Sequence, residues 1–150
     1  MPQWLDIWYE VEALNSLATY AHLNPEGIMP TLNQDIVFKT SNMGHPLLSP
    51  DSRIVNSFEM QSVGNLAILT GSNMSGKSSF LRTLGVNLTM AYAGGVVIAD
   101  DFQAGLFRLF SCIRVTDSLD DGISYFYAEV KRLHALLEAL DPEQNTTFND

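Results

Sequence analysis

The eight residues from Gly71 to Ser78 read GSNMSGKS and fill the pattern GxxxxGKS. Each part of that spacing has a chemical reason. The glycines let successive backbone N–H groups curl inward as an anion-binding nest, because a Cβ resists the required backbone angles. Lys77 places a positive charge at the β- and γ-phosphates of a nucleotide, and the Ser78 hydroxyl can ligate Mg²⁺. The candidate binding set is Gly71, Ser72, Asn73, Met74, Ser75, Gly76, Lys77, Ser78 and Ser79, with Ser78 as the metal ligand.

Such a loop needs an element on each side to aim it. The apolar run Leu66-Ala67-Ile68-Leu69 predicts a strand over 66–70 that enters the loop. The segment Ser79 to Tyr92, with Phe80, Leu84, Leu88 and Ala91 at helical spacing, predicts a helix that leaves it and turns the positive end of its dipole toward the phosphates. Strand, loop and helix in that order separate a nucleotide loop from an ordinary Gly/Ser turn.

The remainder of the chain divides around this unit. Trp4, Trp8, Val11, Leu14, Leu17 and Ala21 recur with a helical period, and the two tryptophans read as core packing. Asn24-Pro25-Glu26-Gly27 ends that helix. Short strand-like pieces follow, Ile36-Val37-Phe38 and Ile54 to Met60, broken by Gly44-His45-Pro46 and Ser49-Pro50-Asp51; they predict a small, largely antiparallel sheet. After Gly94-Gly95 come Val96 to Ala99 and a second strand-like run, Leu106 to Val115. An acidic turn, Asp117 to Gly122, leads to a helix with Phe126, Val130, Leu133, Leu137 and Leu140 on one face, stopped by Asp141-Pro142.

With 150 residues and 46% hydrophobic content the chain can build one core. Its 8 basic and 17 acidic residues give a net charge of −9, and no basic cluster exceeds two residues, so this segment has no surface for gripping nucleic-acid phosphates. The single cysteine, Cys112, reads as a small buried hydrophobe in a reducing compartment. With no long apolar run and no leader pattern, the expected location is the cytoplasm. His22 and His134 have no second ligand at a metal spacing, and Asp117, Asp120 and Asp121 read as a solvated turn.

Several motifs in fixed order resemble the MutS family of DNA mismatch-repair ATPases, an ABC-like branch of the P-loop proteins. Met43-Gly44-His45-Pro46-Leu47-Leu48 is similar to the family's HPLL element, Val55-Asn56-Ser57 to its ND element, and GSNMSGKSSFLR to its GPNMSGKSTYLR. DSLDDGISYFYAE, Asp117 to Glu129, is similar to its DDL…GxSxFxxE motif. Ser72, Ser79 and Ser118 depart from the family's proline, threonine and aspartate. The wording GISYFYAEVKRL is closer to MutS-related proteins without a mismatch-sensing domain.

The resemblance implies an α/β fold: an incomplete P-loop NTPase core over 28–150, preceded by a helical connector over 1–27 and the small antiparallel region. It implies binding of ATP with Mg²⁺, and a homodimer with two composite nucleotide sites, driven by nucleotide as a clamp. Contact with DNA would belong to other parts of a longer protein. Lys77 and Ser124 are the implied catalytic residues. Ser124 would reach the γ-phosphate bound by the partner subunit, and it also suits the cap of the helix it begins. Glu129 reads either as the motif's acid or as a solvated helix-face charge. Arg53 stands where repair enzymes place an aromatic against adenine, and a guanidinium can also stack on a base. His45 reads as a neighbour of the adenine or as a loop-packing residue.

In the family an apolar strand ending in Asp-Glu, the Walker B pair, follows the last helix, and no such pair follows Leu140; the expectation is ATP binding without efficient turnover by this segment. Val96 to Asp100, VVIAD, offers a rival: in a small P-loop kinase or GTPase it would be the Walker B strand, with Asp100 on Mg²⁺. Alignment with the family's GxxVPA segment favours a structural strand or loop instead. A third reading is a nucleotide-responsive dimerisation module that does not hydrolyse.

Overall fold

The computed structural model describes residues 3–35, 37–62, 64–72, 74–111 and 125–139. Two compact units divide at Phe107 and Arg108. The first holds helix α1 (Gln3–Leu23), strands β1 (Thr31–Asn33), β2 (Phe38–Met43) and β3 (Asn56–Met60), helix α2 (Lys77–Tyr92) and strand β4 (Asp101–Gly105). The second contains helix α3 (Tyr125–Ala139). Its Tyr127, Val130, Leu133 and Leu137 are exposed.

The four strands form one sheet in the order β1-β4-β2-β3. It is mixed rather than largely antiparallel. β4 runs parallel to β1 and antiparallel to β2, while β2 and β3 are antiparallel. β4 had no counterpart in the hydrophobic pattern, which pointed to Leu106–Val115. Residues 106–111 are outside any strand, and 112–115 fall outside the described residues. Packing explains the displacement: Phe102 and Ala104 alternate into the core while the backbone pairs on both sides, which outweighs the poor strand propensity of Asp, Gln and Gly.

One face of the sheet and one face of α2 make the core. Phe38, Met43, Phe102 and Ala104 from the sheet meet Leu88 and Ala91 from the helix, with Val97 and Ala99 from the segment before β4. Phe80 and Leu84 extend that stripe, so the helical face read from sequence is the one that packs. Phe58 bridges Phe38 and Phe80, with ring centroids 5.9 and 5.7 Å away. β2 carries a register shift between Thr40 and Met43, and Asn42 sits there with φ 48°. The irregularity turns Met43 rather than Asn42 inward.

Two expectations fail for a shared reason. Leu66–Thr70 is not a strand: it lacks a partner strand among the described residues, and Leu66 and Ile68 are 84% and 76% exposed. β-propensity without a neighbour to pair with does not make a strand. Trp4 and Trp8 likewise do not enter a core but stand 66% and 58% exposed. The partly buried residues of α1 include Leu17, Tyr20 and Ala21 toward its C-terminal end.

Candidate nucleotide site

The loop from Gly71 to Gly76 delivers the chain into α2, whose first residue is Lys77. Gly76 caps the helix with φ 88°, a left-handed conformation that costs a side-chain-bearing residue about 1–2 kcal/mol. Among the described residues no side chain caps this end. The first i→i−4 bond runs from Phe80 N to Gly76 O at 2.8 Å, so the amides of the opening turn remain as donors for an anion.

Lys77 folds back over the loop. Its Nζ donates to Gly71 O at 2.7 Å, Ser72 O at 2.6 Å and Ser75 Oγ at 3.2 Å. A Cβ on Gly71 would meet Ser75 Oγ at 2.9 Å and lie 3.9 Å from that Nζ, so a side chain here would crowd Ser75. Met74 takes φ 66° and its side chain is wholly exposed. Ser78 and Ser79 are exposed at the start of α2, while Asn73 is outside the described residues. A positive charge, unspent amides and a serine hydroxyl thus converge on one helix N-terminus. That donor set fits the triphosphate of a nucleotide with its magnesium ion.

The residues around it take other roles. Arg53 does not present its guanidinium to a base. Nε and Nη2 donate to Leu48 O at 3.1 and 2.7 Å, and Nη1 to Glu26 at 3.0 Å, with the Arg53 side chain only 6% exposed. Its methylenes occupy the space where a side chain on Gly44 would stand. Burial and three hydrogen bonds therefore remove it from stacking. The Glu26 carboxyl is held below its usual range, first by its backbone N–H and then by Arg53. His45 Nδ1 accepts from Leu47 N at 3.2 Å, a contact internal to the turn.

Asp100 has no Walker B geometry. Val97 makes an isolated antiparallel bridge to Ile28 rather than a strand, and Asn42 Nδ2 donates to Asp100 Oδ2 at 2.6 Å. Ser124, Cys112, Asp117, Asp120 and Asp121 lie outside the described residues, and Glu129 is placed only as a residue of α3.

The sequence reading passed over two residues that fix α2. Asn87 is fully buried, with Nδ2 donating to Gly44 O at 3.0 Å and Thr83 O at 2.9 Å, and Oδ1 accepting from Ile98 N at 3.0 Å. Tyr92 Oη donates to Gly105 O at 2.8 Å and accepts from Phe107 N at 3.0 Å. A polar residue inside the stripe Leu84, Leu88, Ala91 was the available signal for Asn87.

Comparison with known proteins decides the lineage: the family model for MutS domain V matches residues 67–145, more than half of the chain. The chain belongs to the MutS family. It is 30% identical over 145 residues to the DNA mismatch repair protein MutS of Streptococcus agalactiae, covering 93% of the chain and 17% of that protein. It is 29% identical over 143 residues to the endonuclease MutS2 of Staphylococcus haemolyticus, covering 94% of the chain and 18% of that protein. With the MutS of Lactobacillus acidophilus the identity is 36% over 125 residues, 80% of the chain and 14% of that protein. The chain thus spans less than a fifth of these relatives. The MutS domain V match begins at Ala67 and so contains the whole GxxxxGKS loop, α2 and α3. Among the described residues no helix is long and apolar enough to cross a membrane.

Proposed function

We propose that this chain is the ATP-binding part of a MutS-family ATPase. The observation that carries the reading is Lys77 at the head of an uncapped α2, inside a GxxxxGKS loop, in a chain whose family is MutS. Gly71 to Ser79 cradle the triphosphate, Lys77 neutralises its β- and γ-oxygens, and Ser78 ligates Mg²⁺. Bound magnesium would supply charge stabilisation to the phosphoryl group. The protein's share is positioning: α2 is pinned to the sheet by Phe80, Asn87 and Tyr92, so its N-terminus is presented by a rigid element.

The P-loop core over 28–150, with 1–27 as a connector, belongs to the same proposal, as does a homodimer with composite sites. In that dimer Ser124 acts on the nucleotide of the partner subunit. A net charge of −9 assigns DNA contact to other parts of a longer protein. The cytoplasm is the proposed location. The test is titration of the chain with a fluorescent ATP analogue, with and without Mg²⁺. Saturable, magnesium-dependent binding that unlabelled ATP displaces is expected; its absence would overturn the reading.

A further inference from the structure

Asn87, Gly44 and Ile98 form a closed ring of hydrogen bonds. Gly44 N donates to Ile98 O at 2.9 Å, Ile98 N donates to Asn87 Oδ1 at 3.0 Å, and Asn87 Nδ2 returns to Gly44 O at 3.0 Å. The second amide proton of Asn87 goes to Thr83 O one turn back in its own helix. Both donors are therefore used, and Oδ1 is used as well. The ring sits with Asn87 and Gly44 buried, so none of these bonds is exchanged with water at no cost.

Its partners are held from outside. Arg53 packs its methylenes over Gly44 and bonds twice to Leu48 O, which closes the turn that follows Gly44. Glu26 anchors Arg53 in turn. Asn87 therefore ties α2 to a fixed post. Phe80 and Leu88 give the helix apolar contact, which allows sliding; directional bonds to two backbone groups do not. Ten residues along the same rigid helix stands Lys77.

We propose that Asn87 is a positioning residue for the nucleotide site: it sets the axial placement of α2, and so where Lys77 and the first-turn amides meet phosphate. The inference rests on the ATP-binding reading above. Asn87→Asp keeps the shape and the acceptor for Ile98 N but removes both donors, to Gly44 O and Thr83 O, and sets a buried carboxylate against those two carbonyls.

A double-mutant cycle with Lys77→Ala tests it, using a fluorescent ATP analogue with Mg²⁺ and samples shown by circular dichroism to be folded. Asn87→Asp, with both amide donors lost, is expected to weaken binding about tenfold in the parent chain, and less than about twofold once Lys77 is already gone. Phe102→Leu, a core change that touches none of the ring, should lower the unfolding midpoint and leave affinity unchanged. Equal losses in both backgrounds, no loss in either, or the same loss from Phe102→Leu would overturn the proposal. If Asn87→Asp does not fold, Asn87→Gln takes its place: it keeps the amide on a longer arm, and should weaken binding with the same dependence on Lys77. A parent chain that binds no analogue at all overturns the ATP reading itself, an outcome separate from each of these.

Discussion

Lys77 Nζ and the Ser72 carbonyl oxygen stand 2.6 Å apart, so the ammonium is held by the loop it belongs to. On the proposed reading, bound nucleotide would exchange these carbonyls for phosphate oxygens. Lys77→Ala removes the charge-assisted bonds and should weaken ATP by about 1.5–3 kcal/mol. Fluorescence titration reads it, and equal affinity of variant and parent would refute the role.

At Gly76 the backbone is left-handed while the surrounding space is open, with nothing within 4 Å of an added Cβ. Gly76→Ala should therefore cost about 1–2 kcal/mol through backbone conformation alone. Urea unfolding measures the cost. A neutral result would mean that the cap relaxes into another conformation.

Tyr92 serves two backbone groups at the C-terminal end of α2. Tyr92→Phe leaves Gly105 O and Phe107 N partly buried without their partner, and should destabilise the first unit by about 1–3 kcal/mol. Nucleotide affinity in the folded sample should hold, since the phosphate loop lies at the opposite end of the helix. A large affinity loss with unchanged stability would contradict this division.

The pH dependence has an acid and an alkaline limb. The Glu26 carboxyl is depressed, so its contribution is present above the usual glutamate range and is lost as pH falls through the lowered value. Arg53→Met should shrink that limb without abolishing it, because the Glu26 backbone N–H, the larger cause, remains. The Tyr20 phenol is raised, chiefly by burial, with Arg53 opposing and Glu26 adding. Its contribution is present below the ordinary tyrosine range, near pH 10, and is lost as pH rises through the raised value. Tyr20→Phe should remove the alkaline loss. At neutral pH it should cost little, because the Tyr20 hydroxyl is buried without a hydrogen-bond partner among the described residues. Thermal melts across pH check both limbs; a parallel fall in parent and variants would reject the assignment.

What the sequence made legible was the chemistry that depends on local order. The packed face of α2 was readable because Phe80 to Ala91 follow a single helical period, and the turn at Gly76 because its left-handed backbone favours glycine. The sheet was less readable, since strand pairing is non-local. Asp101–Gly105 became a strand through its neighbours β1 and β2, whereas Leu66–Thr70, with the better strand composition, has no neighbour among the described residues. Arg53 shows the same limit in a side chain: its role followed from Glu26 and Leu48, positions that no local pattern links to it.

Leu66 to Thr70 carries a practical consequence for anyone handling this chain. Five residues without charge or proline present backbone donors and acceptors to solvent, with Leu66, Ile68 and Leu69 among the exposed side chains. Such a stretch is a template for strand addition between molecules, the route by which exposed edges seed aggregates. Solutions of the isolated segment should therefore scatter more light as concentration rises, and a lysine at Ile68 should suppress that scatter while leaving the core of sheet and α2 intact.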